Sequence, residues 1–132
     1  MLAKYSVTTG INLEKYTFPI AVTDQEIDLC NLHLTDLVPG DHIILEAGVG
    51  WQKNLDIGEL EIMIRKDSPS GPILYLTEDT CFHTTYSVMK HIDKDIQEDT
   101  HAYYLTAKST SSPVNQAKIT ENVSLTATVV VP

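Results

Sequence analysis

The chain has 132 residues, 42% hydrophobic and 20% charged, with nine Lys and Arg against eighteen Asp and Glu for a formal net charge of −9. That length suits one hydrophobic core, so residues 1–132 are expected to form a single domain, and the charge disfavours nucleic acid and anionic lipid as partners. No apolar run approaches the roughly 20 residues that span a bilayer, and Met1 to Tyr5 lack the pattern of a secretory signal, so a soluble protein, cytosolic or exported by another route, is expected.

Period-two alternation dominates from the N-terminus onward. Tyr5 and Val7 alternate with Lys4, Ser6 and Thr8 before Gly10, which suggests a short first strand, so that residues 1–13 form an N-terminal arm or an edge strand. Tyr16, Phe18, Ile20 and Val22 alternate strictly, with Pro19 placing that strand at a sheet edge or bulge. Ile27 and Leu29 share one parity, Leu32 and Leu34 the other, so the strand from Glu26 to Leu34 contains a bulge or changes sheets near Cys30 and Asn31; a corner is the simpler expectation.

Pro39, Gly40 and Asp41 specify a tight turn. After it Ile43, Leu45, Ala47, Val49 and Trp51 recur at every second position, and a face that apolar needs a second layer to cover it. Lys53 to Gly58 forms a polar link. Leu60, Ile62 and Ile64 then alternate with Glu59, Glu61, Met63 and Arg65, and the turn formers Lys66 to Pro72 end that strand.

Ile73 to Thr77 is expected to be a short strand buried on both sides. Thr84 to Ile92 favours a strand through Tyr86 and Val88, with Met89 and His91 on the other parity, and Asp93 to Asp99 interrupts it as an acidic loop. Tyr103, Leu105 and Ala107 give one more strand, closed by Ser109 to Pro113. The last is the longest: Ile119, Glu121, Val123, Leu125, Ala127, Val129 and Val131 share one parity, which places the C-terminus inside a sheet. Eight or nine strands and no helical period predict an all-β antiparallel jelly-roll sandwich. An immunoglobulin arrangement fits less well, because Trp51 lies far beyond Cys30 and Asp79 stands where a tyrosine two before Cys81 is expected.

The PGD turn, the strand ending GVGW, and the GELEIMIR, HAYYLTAKS and VSLTATVVV strands together resemble the compact jelly roll of the tumour-necrosis-factor and complement-C1q type, over most of residues 14 to 131. Bacterial spore-surface (exosporium) proteins carry such domains. The resemblance implies a domain whose work is assembly or contact. It also implies a place outside the cell or on a spore surface reached without a signal peptide, since spore-surface proteins are deposited from the mother cell.

Candidate chemistry is sparse. His91, Asp93, Asp95, Glu98, Asp99 and His101 could hold Ca²⁺, but Glu98 and Tyr104 stand where an EF-hand loop starting at Asp93 needs glycine and glutamate, so we read a solvated acidic loop. Cys81 and His83 with His91 or His101 match no closed zinc spacing. No GxSxG elbow is present, and Ser68 and Ser70 sit in a turn far from any histidine. Glu59 and Glu61 read as one charged outward face, and the Asn122-Val123-Ser124 sequon falls inside a strand. Cys30 and Cys81 form a disulfide within the chain, a disulfide between chains, or two partly buried thiols.

No catalytic residue, cofactor or metal is therefore expected. The chain reads as a non-enzymatic structural subunit that pairs with itself as a trimer or fibre, with Tyr5, Val7, Ile44, Met63, Tyr104 and Val130 as interface candidates. Other surface-layer proteins or glycans are further expected partners. The alternative is a carbohydrate-binding, lectin-like module that groups a tyrosine or Trp51 with Asp and Asn in a loop cleft.

Overall fold

A computed structural model of the chain describes residues 2–53, 58–81, 84–109 and 117–132. The strands are β1 (Leu2–Gly10), β2 (Ile20–Ala21), β3 (Ile27–Leu34), β4 (His42–Gln52), β5 (Gly58–Lys66), β6 (Ile73–Cys81), β7 (Thr84–Asp93), β8 (His101–Lys108) and β9 (Lys118–Val131). One sheet runs β1-β9-β4-β7, with β2 also on β9; the other runs β3-β8-β5-β6. The antiparallel pairs β1·β9, β3·β8, β4·β7 and β5·β6 are nested one inside the next. That nesting is one long hairpin wrapped into two layers, which is the jelly roll the alternation predicts.

The core forms where inward parities of the two sheets meet. Ile43, Leu45, Val49 and Trp51 of β4 and Leu125, Ala127 and Val129 of β9 face Leu60, Ile62 and Ile64 of β5 and Tyr103, Leu105 and Ala107 of β8. The turn before β4 forms as its residues dictate. Gly40 has φ 98°, a conformation that suits glycine, and the Asp41 N–H donates to the Val38 carbonyl at 3.1 Å. The Asp41 carboxylate accepts from the Val38 N–H at 3.0 Å and from Lys4 Nζ at 2.8 Å, which ties the turn to β1.

Several expectations are corrected. From Tyr16 to Val22 only Ile20–Ala21 pairs as strand, beside a cis Phe18-Pro19 peptide. The parity change near Cys30 is a bulge between Asp28 and Cys30, so β3 stays in one sheet and turns no corner. β6 runs on to Cys81 and is a half-exposed edge strand, where burial on both sides was expected. Residues 1–13 include an edge strand that pairs with the chain's own β9. His83, most of the Lys53–Gly58 link and the Thr110–Pro113 turn lie outside the described residues.

Cys30 is a free, buried thiol. β3 and β6 are the two opposite edges of their sheet, three strand spacings or about 14 Å apart, beyond the reach of a disulfide. The strand order therefore does not bring the backbones of Cys30 and Cys81 together. Burial, with the Asp28 carboxylate nearby, pushes the Cys30 thiol up to about 12, far from a reactive thiolate.

Candidate docking surface on the five-stranded sheet

β7 breaks the rule that the other long strands obey. Its two parities are Thr84, Tyr86, Val88, Lys90, Ile92 and Thr85, Ser87, Met89, His91, Asp93. The first is richer in β-branched and aromatic side chains, yet it faces solvent: Val88 is 71% exposed, Tyr86 46% and Ile92 38%. The second turns inward, with Ser87, Met89 and Asp93 buried.

Polar partners inside the sandwich hold this inverted register. Trp51 Nε1–H donates to Ser87 Oγ at 2.9 Å, and the Ser87 hydroxyl donates in turn to the Asp79 carboxylate of β6. At the other end of β7 the Asp93 carboxylate is 2.8 Å from Lys66 Nζ and accepts from the Tyr103 hydroxyl at 2.7 Å and from the Asp95 N–H at 3.1 Å. Lys66 Nζ also donates to the Asp95 carbonyl at 2.6 Å, so both members of this buried ion pair have hydrogen-bond partners beyond each other. Burial pushes the Asp93 carboxyl up, but hydrogen bonds from Lys66 and Tyr103 outweigh it and leave the group below its ordinary range. Burial, then the Asp93 carboxylate, raises Tyr103. A one-residue slip of β7 would break both clusters at once.

On the outer face the β7 row meets a gap in β4. Gly48 and Gly50 stand opposite Val88 and Tyr86, and the Tyr86 ring lies over Gly48, in space a Cβ would occupy. A hollow of about 520 Å³ opens there, lined by Glu46, Gly48, Tyr86, Val88, Lys90, Ser124 and Thr126, with Tyr75, Ala47 and Met89 behind. Across β9 the same face changes character. Ser6 pairs with Thr128 and Thr8 with Thr126 through hydroxyl contacts of 2.9 Å.

The interface candidates separate. Ile44 lies on the same outer face, half-buried beside Ile92 and Thr128. Tyr104 is half-buried on the outside of the four-stranded sheet, edge-on to His33. Met63 is only 1% exposed, with Arg65 beside it and Thr106 and Leu76 as its cross-strand neighbours. Arg65 forks onto Glu26 at 2.6 and 2.9 Å, and that hydrogen bond, opposed by burial, holds Glu26 below its usual range. Val130 is 3% exposed, and Tyr5 and Val7 pack against the core, with the Tyr5 hydroxyl bonded to the Thr35 backbone. Met63, Val130, Tyr5 and Val7 are thus occupied within the chain. What pattern reading missed is the stripe Tyr86, Val88, Ile92.

The acidic 91–101 segment disperses. Asp93 and His101 turn inward on different strands, His101 Nδ1 lies 3.0 Å from Asp67, and His91 packs against the Tyr75 ring. Among the described residues no three His, Cys, Asp or Glu side chains are grouped to hold a metal. Glu61 is 3.5 Å from Lys108, and Glu59 hydrogen-bonds Glu78 across the strands, which raises the Glu78 carboxyl. Trp51 is fully buried and offers no face to a sugar.

No protein-family model and no curated protein matches this chain. Among solved structures, it superposes on a chain from the structure of infectious bursal disease virus Gx strain with a TM-score of 0.54 and 8% identity, over 96% of this chain and 31% of that one. The chain thus spans less than a third of that relative, and the likeness is one of fold: an all-β sandwich of two antiparallel sheets. A second match, to arabinose-bound MgGH51 α-L-arabinofuranosidase, has a TM-score of 0.39 and 10% identity over 95% of this chain and 18% of that one, a superposition too loose to carry an argument.

Proposed function

We propose that this chain is a non-enzymatic building block that joins copies of itself, as a closed oligomer or a fibre, in a layer outside a cell or on a spore surface. The observation that carries the reading is the exposed apolar row along edge strand β7. Of nine large apolar side chains exposed among the described residues, Tyr86, Val88 and Ile92 form one row on the outer face of edge strand β7, while Ile73 and Leu76 of β6 lie on the outer face of the other sheet. Scattered single exposures are ordinary, but a row of them on one strand face is what a contact surface requires. The surface-layer setting rests on the sequence resemblance alone. Light scattering behind a sizing column, with electron microscopy of the peak, tests the reading: objects larger than one chain at micromolar concentration support it, and a lone monomer refutes it.

A sugar-binding role is the second reading, favoured by Tyr86 beside Glu46, Lys90, Ser124 and Thr126 in the outer-face hollow. Glycan-array binding by a monomer that loses its signal on Tyr86→Ala would select it.

A further inference from the structure

We propose that β7 pairs antiparallel with β7 of a second copy of this chain, about a two-fold axis through Val88, joining the two five-stranded sheets into one. This deepens the assembly reading, on which it rests, by naming the strand, the partner and the register.

The first argument compares the sheet edges. An open edge strand exposes unpaired N–H and C=O groups, and folded chains blunt such edges with bulges, prolines or charge. β1 is bulged at Lys4, between Ala3 and Tyr5. β2 has two residues next to Pro19. β3 is bulged between Asp28 and Cys30, and the Tyr16 hydroxyl takes the Asp28 carbonyl at 2.7 Å. β6 slips register opposite Arg65 and carries Glu78 at mid-strand, where a second β6 would set like charges close together. β7 alone among these has ten residues in unbroken register with β4, no proline and no bulge.

The second argument is the inverted parity. A strand that shows its more apolar face to water gives up burial that the opposite register would supply, and such local conflict is expected where a surface has work to do. Pairing sets Tyr86, Val88 and Ile92 side by side with the outward row of the second copy, which shields their flanks and recovers part of that burial.

The third is self-complementarity. Two copies, each at −9, repel in general. The outward row of β7, however, carries one charged side chain, Lys90, and it is positive. With Val88 on the axis, Lys90 faces the second copy's Tyr86 and Ile92 faces its Thr84, so no like charges meet. On the inward parity Ser87 faces Met89 and Thr85 faces His91. In the joined sheet Lys90 then stands between its own chain's Glu46, its neighbour on β4, and the second copy's tyrosine ring, a cation–π arrangement. The two-fold closes the contact, so this edge makes dimers and anything larger needs a second surface.

Val88→Cys, in a chain with Cys30→Ala and Cys81→Ala, tests the register, because a residue on the axis faces its own copy. Under mild oxidation it should cross-link to a covalent dimer, while Leu13→Cys in the same background should not. Val88→Lys, checked for folding by circular dichroism, sets lysines face to face and should move the dimer midpoint in sedimentation to at least about tenfold higher concentration. If the protein assembles but Val88→Cys stays monomeric on denaturing gels and Val88→Lys leaves the midpoint unmoved, β7 pairing is overturned and the assembly reading stands. If the wild-type chain is a monomer at micromolar concentration, both fall. If Val88→Lys abolishes capture of a different strand while Val88→Cys never cross-links to itself, the edge serves a foreign partner and this proposal is overturned.

Discussion

The two flanks of the five-stranded sheet solve the same problem in opposite ways. On the β1/β9 flank the apolar parity of β9, Val123 to Val129, is buried, and the outer face carries paired hydroxyls. On the β7 flank the inward parity is Ser87, Met89, His91 and Asp93, and the outer one is Tyr86, Val88 and Ile92. The difference teaches that hydrophobic pattern orients a strand only when nothing polar inside competes. β9 meets an apolar interior. β7 meets Trp51 Nε1, Asp79, Lys66 and Tyr103, each needing a partner that only the polar parity can supply.

The largest test of that contrast removes the anchor at the end of β7. Asp93→Ala strands the Lys66 ammonium in the interior and should cost about 3 to 5 kcal/mol in urea unfolding. The same anchor sets an acid limit. The folded Asp93 carboxyl lies below its ordinary value of 3.8, so its contribution is fully present above that value and is lost as pH falls through the lower folded one. The acid branch of a stability–pH curve should therefore flatten in the Asp93→Ala chain.

Next comes the apolar contrast itself. Leu125→Ala on β9 opens a cavity and should cost about 2 to 5 kcal/mol. Val88→Thr on β7, at a site already open to water, should change the monomer's stability by less than about 0.5 kcal/mol. An equal loss at both sites would mean that the β7 stripe is covered in the single chain. Ser87→Ala is intermediate: it leaves Trp51 Nε1 and Asp79 without their shared partner and should cost about 1 to 3 kcal/mol.

How much of this was legible in the sequence follows from the same physics. Strict alternation at Ile43 to Trp51, Leu60 to Ile64 and Val123 to Val129 located three core strands and both layers, because an apolar face has one stable destination. The PGD turn was legible because proline and glycine restrict the backbone locally. The facing of β7 was not: the partners that turn Ser87 and Asp93 inward are Trp51, Asp79, Lys66 and Tyr103, distant in sequence, and no local pattern reports them. For the same reason Met63 read as outward. Its parity is outward, but Arg65 beside it, forked onto Glu26 from thirty-nine positions away, helps to close it off. The docking surface was therefore hidden where the fold was plain.

The smallest effect probes the quiet flank. The Thr8–Thr126 and Ser6–Thr128 hydroxyl pairs are exposed, and water can replace either partner, so a cross-strand pair of this kind contributes about 0.2 to 1 kcal/mol. A double-mutant cycle with Thr8→Val and Thr126→Val should return a coupling in that range and leave the oligomeric state unchanged, whereas Val88→Lys changes the oligomeric state and leaves monomer stability nearly alone. Should the threonine pair also govern association, the hydroxyl face would be a contact surface in its own right, and the division of labour between the two flanks would have to be redrawn.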